Sequence, residues 1–147
     1  MVRNERAMLN STQITRWLAT HDLPSNQIAL HYWQIPLSHL HARYVLHIRL
    51  GTDWLHYGAD IFTYPPSVNE KLLAQFYQFV LELNSQINGA QIAGENGKAV
   101  LIRNDISSDI NEKTLRRGIE LFHRTHEYVY PILLREAKRL GIRLTPD

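Results

Sequence analysis

Eight histidines are distributed through a chain of 147 residues that contains no cysteine. Imidazole is the side chain best suited to exchange protons near neutral pH and, without thiolates, the natural nitrogen ligand for zinc, copper or nickel. His31, His47 and His56 fall in segments with strand-like alternation. If Leu50-Gly51-Thr52-Asp53 forms a hairpin with a two-residue turn and Gly51 at positive φ, Arg49 pairs with Trp54 and His47 with His56. A preceding hairpin around Ser38-His39-Leu40 brings His31 beside His47. Directly opposed side chains on one sheet face have Cβ atoms about 4.5–5.5 Å apart, so three imidazoles can cluster. A one-residue slip sends the cluster to the other face. His39 and His41 form a weaker pair in the connecting loop. On the C-terminal helix, His123 and His126 stand beside Glu127, and Asp105 precedes Asp109, but no oriented base–nucleophile pair emerges from these spacings.

The same non-core face collects Ala29, His31, Trp33, Val45, His47, Arg49, Trp54 and His56. Tryptophan beside histidine and arginine is the composition of a protein contact surface. The expected partner-binding residues are Trp33, Val45, Arg49, Trp54, His31, His47 and His56. The competing reading has Trp33 and Trp54 covered by the last helix. Polar residues on a half-exposed sheet face explain the histidines without any metal. No catalytic residue, metal site or cofactor is assigned, and a histidine-dependent metal protein is kept as the alternative function.

The elements that must position these residues follow from periodicity. Ile14, Trp17 and Leu18 mark a short first helix capped by Ser11 or Asn10, and residues 1–10 read as a mobile N-terminal segment. Strands are expected at 27–35, 42–50 and 53–62, with Ile28, Leu30 and Tyr32 on the core face of the first. Ser67-Val68-Asn69-Glu70 reads as a capping box for a second helix that ends near Gly89. Its broad stripe of Leu72, Leu73, Phe76, Phe79, Val80 and Leu83, with Tyr77 beside it, serves either the core or a two-fold dimer interface. Asn96-Gly97 signals a second hairpin between 90–95 and 98–105. A last helix opens near Asp109–Glu112, is expected to kink at Pro131 and ends at Gly141. Its arginines alternate with Glu112, Glu120, Glu127 and Glu136, which describes a solvated face. A weak nucleic-acid binder is kept as a further alternative, although a formal charge of +2 gives it little support.

Gly94-Glu95-Asn96-Gly97-Lys98 lacks the spacing of a phosphate-binding loop and leads into a strand. No signal peptide or membrane helix is expected, so the cytoplasm is the default location. The sequence describes one domain, 1–147, of α+β class in the order α-β-β-β-α-β-β-α, an antiparallel sheet packed against helices. The helix at 67–86, the hairpin at 91–105 and the helix at 115–140 with Tyr130-Pro131 inside it give the chain a resemblance to the type III secretion chaperone-like fold. It resembles most the YbjN-like branch, including a cyanobacterial set. The resemblance implies a non-catalytic, chaperone-like or regulatory domain, monomeric or homodimeric, whose partner is another protein. It assigns no functional residue by position.

Overall fold

The structure is a computed structural model that describes residues 9–146. In chain order the elements are α1 (Ser11–Thr20), β1 (Asn26–Ala29), β2 (Tyr32–Ser38), β3 (Arg43–Leu50), β4 (Trp54–Thr63), α2 (Glu70–Asn84), β5 (Gln91–Glu95), β6 (Lys98–Ile106), a 3-10 turn (Ser107–Asp109), α3 (Glu112–Leu140) and β7 (Thr145–Pro146). The strands form one antiparallel sheet in the order β1-β2-β3-β4-β6-β5, with β7 paired to β4. The α+β class and the helix and strand order agree with expectation, with the short strands β1 and β7 added. Of the N-terminal segment expected to be mobile, residues 1–8 lie outside the described residues. Leu9 packs on the core, and Asn10 caps α1 in a reciprocal pair of hydrogen bonds with Gln13, each 3.0 Å.

Several local signals act one or two residues from where the sequence placed them. Asn69, not Ser67, caps α2 by accepting from the backbone N–H groups of Lys71 and Leu72. Pro65-Pro66-Ser67 is spent on a turn closed by Val68 N–H donating to Pro65 O. Asn111 caps α3 in a capping box with Thr114, because Ser107–Asp109 already forms the 3-10 turn. The helix continues through Pro131 and ends at Gly141, whose φ of 77° is the left-handed stop expected of it. Asn96 (φ 47°) and Gly97 (φ 77°) make the expected hairpin turn between β5 and β6.

The main correction concerns the first expected strand. It is two strands, folded back at Leu30 and His31, and the turn inverts the side-chain parity of the residues after it. Trp33 and Ile35 face the core, while Ile28 and Leu30 are exposed. The driving term is area: burying an indole removes far more apolar surface from water than burying a leucine. The β3–β4 turn differs too. Leu50 pairs with Leu55, Arg49 with His56 and His47 with Gly58, so the loop is two residues longer than expected and Gly51 needs no positive φ. A two-residue shift preserves parity, so the faces of β3 and β4 stay as expected.

The helices pack on one face of this sheet. Trp33 meets α1, Tyr44, Tyr57 and Phe62 meet α3, and Gly94 lies under Tyr77 of α2. A bulge between Asp60 and Phe62 turns both Ile61 and Phe62 inward, which places the Phe62 ring 5.0 Å from that of Tyr130. α2 also closes the β5 edge. The Asn84 amide accepts from Ile92 N–H at 2.8 Å and donates to Ile92 O at 2.9 Å, imitating a neighbouring strand where β5 has none. Among the described residues no helix is long and apolar enough to cross a membrane.

Gly89 does not terminate α2, whose C-cap is Ser85. It is instead a point of close approach to α3: a Cβ there would lie 2.8 Å from Leu121 O and 2.5 Å from Thr125 Oγ1. Gly89→Ala is therefore expected to destabilise the protein by about 1–3 kcal/mol through overpacking. The shift of the urea midpoint at constant m-value measures it.

Candidate functional site

With the helices on the inner face, the outer face of the sheet is left open. Its rows can be read across the register. Tyr32, Arg49, His56 and Asn104 form one, and Gln34, His47, Gly58, Ile102 and Gln91 the next. Pro36 sits beside Val45, and Trp54 beside Ile106. Trp54 is 46% exposed, Ile106 48% and Val45 40%, values that set them apart from the fully covered inner residues of the same strands.

The polar side chains of this face are engaged with one another. The Tyr32 hydroxyl accepts from Gln34 Nε2 at 3.0 Å and is hydrogen-bonded to His47 Nδ1 at 2.5 Å. The Arg49 guanidinium lies 4.5 Å over the Tyr32 ring, a cation–π contact. His56 Nδ1 is hydrogen-bonded to Asn104, and Lys98 pairs with Asp60 at 2.9 Å. Burial first, then the charges of Arg49 and Lys98, lower the His47 pKa despite the opposing Asp60 carboxylate. That favours the neutral His47 ring. Two depressions of about 570 and 300 Å³ adjoin on this face and share His47 and Asp60 as lining. Val45, Pro36 and Gln34 wall the larger one.

Five of the seven expected partner-binding residues are thus together: Val45, His47, Arg49, Trp54 and His56. The other two are not. Trp33 is 1% exposed on the inner face, its Nε1 donating to Thr15 Oγ1 at 3.0 Å. His31 occupies the β1–β2 turn, where its Nδ1 meets Ser11 Oγ at 2.7 Å. The three-imidazole cluster does not form, and among the described residues no group of three or more potential ligands is placed to hold a metal ion. Tyr32, Gln34, Pro36 and Ile106 belong to the face although the sequence reading left them out. The signal was present in the alternation of Trp33, Ile35 and Leu37 against Tyr32, Gln34, Pro36 and Ser38.

The expected dimer residues divide similarly. Phe76, Val80 and Leu83 are buried in the chain's own core, while Leu72, Tyr77 and Phe79 are partly covered. Tyr77 docks on Gly94 and accepts a 2.6 Å hydrogen bond from the Tyr64 hydroxyl. Leu81 is the exposed large apolar residue of α2, at 71%.

A second histidine group lies at the end of the inner face. His39 Nε2 meets His126 Nδ1 at 2.7 Å, and Tyr44 Oη meets His123 Nδ1 at 2.8 Å. Residues 87 positions apart carry no local sequence signal of this contact.

No family model matches the chain, and no curated protein matches it. Solved structures do. A chain of the HopA1–SchA chaperone–effector complex aligns at TM-score 0.53 and 10% identity, covering 82% of this chain and 91% of that one. A chain of the heterodimeric ExoU–SpcU complex from the type III secretion system of Pseudomonas aeruginosa aligns at 0.52 and 16% identity, over 80% and 95%. YbjN of E. coli aligns at 0.55 and 15% identity, over 92% and 95%.

The two tryptophans separate cleanly in their expected energetics. Trp33→Ala should cost about 3–5 kcal/mol, as for other large buried side chains, whereas Trp54→Ala should stay within about 1 kcal/mol. Urea unfolding of both variants checks the assignment of faces. In its element order and its one-sided antiparallel sheet, the chain has the fold of the type III secretion chaperones and of YbjN.

Proposed function

We propose that this chain is a non-catalytic, chaperone-like protein-binding domain, and that a segment of another polypeptide docks on the open outer face of the sheet. The observation that carries the reading is the exposure of Trp54, Ile106 and Val45 on a face that the helices leave bare, with Val45 walling a groove there. A half-exposed tryptophan on an open sheet face is the kind of anchor that dominates protein contacts. The fold supports a polypeptide as the occupant, because a solved chain that shares it sits in a chaperone–effector complex. The mutual pairing of Tyr32, Gln34 and His47 argues against catalysis, since those groups are held by one another and not aimed at a reacting atom.

The test is selection of random peptides on the full chain, followed by affinity measurement on variants. Trp54→Asp and Val45→Asp should each weaken the selected peptides by about thirtyfold or more, the equivalent of a 2 kcal/mol hot spot. Arg116→Glu, on the outer surface of α3, should leave them unchanged. Peptides indifferent to Trp54 and Val45 would remove the proposal.

A homodimer is proposed as well, through the outward side of α2, because Leu81 stands exposed one turn after the partly covered Tyr77. Light scattering should show a dimer that Leu81→Asp converts to monomer. A monomeric parent protein would reject this part alone.

A further inference from the structure

We propose that the hydrogen bond between His39 and His126 is a proton-sensitive latch, which holds residues 39–42, the connection between β2 and β3, against α3 and releases them on acidification. The latch belongs to the protein by itself and does not rest on the partner-binding reading.

The geometry fixes which atoms carry protons. His39 Nδ1 accepts from the His41 N–H at 3.1 Å, so the neutral His39 ring carries its proton on Nε2. That N–H points at His126 Nδ1, 2.7 Å away, which must then accept. His126 therefore carries its own proton on Nε2, which faces the Asp60 backbone without closing a hydrogen bond. In the neutral state each facing pair matches one donor with one acceptor. An added proton has two places to go, and each removes a bond. On His126 Nδ1 it sets N–H against N–H and breaks the contact between loop and helix. On His39 Nδ1 it displaces the His41 N–H and loosens the turn, whose other closure is His39 N–H donating to Ala42 O at 2.9 Å.

The surroundings work in the same direction. His126 is 1% exposed and stacks on the Tyr44 ring at 3.8 Å, so a charge there has no water. The titratable groups around the pair are Tyr44 from β3, His123, Glu127 and Tyr130 from α3, and His41 from the loop. Burial, then His39 and His123, hold the His126 pKa down to about 3. His39 is lowered by burial and then by His123, with Glu127 opposing and His41 adding to the decrease. Burial also pushes the Tyr44 hydroxyl up, so it keeps its proton throughout. An opened loop returns both imidazoles toward the ordinary value of about 6.5. Since the closed-state values are depressed, closure is fully favoured above about pH 6.5 and weakens as pH falls from there toward the closed-state values. Each pH unit in that window costs up to about tenfold in the closed-to-open ratio for each proton taken up.

The experiment is amide hydrogen exchange and histidine ring nitrogen NMR on the full chain, from about pH 8 to about pH 5. After correction for intrinsic exchange, protection of the His39 and His41 amides should drop by about tenfold or more across this range. The amides of Tyr57 and Leu101, in the central strands, should hold their protection. His126 Nδ1 should keep the shift of an unprotonated nitrogen for as long as the loop is protected. His126→Asn offers His39 a carbonyl acceptor that cannot titrate, and should reduce the drop at least threefold. Loop protection that ignores pH overturns the latch. So does protection that is lost in step with Tyr57 and Leu101, or that falls equally in His126→Asn. If that variant does not fold, the ring shifts of the native protein decide between the same outcomes.

Discussion

Trp33 is held under α1 by burial of its whole ring and by the hydrogen bond from its Nε1 to Thr15 Oγ1. Because successive side chains of a strand alternate, this one placement turns Ile35 inward and Tyr32, Gln34 and Pro36 outward. The register with β3 then sets Tyr32 against Arg49, Gln34 against His47 and Pro36 against Val45. The cation–π contact, the Tyr32–His47 hydrogen bond and the larger groove all descend from that parity. Reversing it would bury a tyrosine hydroxyl and an amide while exposing an indole, a change that loses on both polar and apolar terms.

The inner face concentrates the apolar burial, and α3 provides much of its cover. Its 29 residues span about 43 Å at 1.5 Å per residue, enough to cross the sheet. Leu115, Ile119, Phe122, His126, Val129, Leu133 and Ala137 recur at helical spacing and are all buried. His126 is the polar exception in that stripe, and His39 gives its Nδ1 a partner. A one-sided core leaves the opposite face free to carry residues chosen for something other than stability. Its exposed apolar residues do not form a continuous apolar sheet: Trp54 and Ile106 pair at one end of β4, and Val45 lines the larger depression.

Much of the fold was legible because the signals were local. Helix caps, the Asn96-Gly97 turn and the Gly141 stop each depend on a few adjacent residues, and their errors were small shifts. The faces of β3 and β4 were legible because alternation survives an even register error. The β1–β2 turn was hidden because Leu30 and His31 carry no glycine, proline or asparagine to mark it, and the apparent alternation of Ile28, Leu30 and Tyr32 ran across it. That one missed turn displaced both Trp33 and His31 from the expected site. The division of α2 between core and surface was open in the sequence, since a stripe does not say which neighbours cover it. The meeting of His39 with His126 depends on tertiary packing alone.

The central claim is that the open sheet face, and not a helix surface, meets another polypeptide. Photo-cross-linking from single positions on the full chain tests it most directly, with the reactive side chain placed at Val45 on the outer face or at Tyr128, which is comparably accessible on α3. The account predicts that a polypeptide captured by the protein is cross-linked from Val45 and not from Tyr128. Cross-linking from Tyr128 with none from Val45 would contradict it.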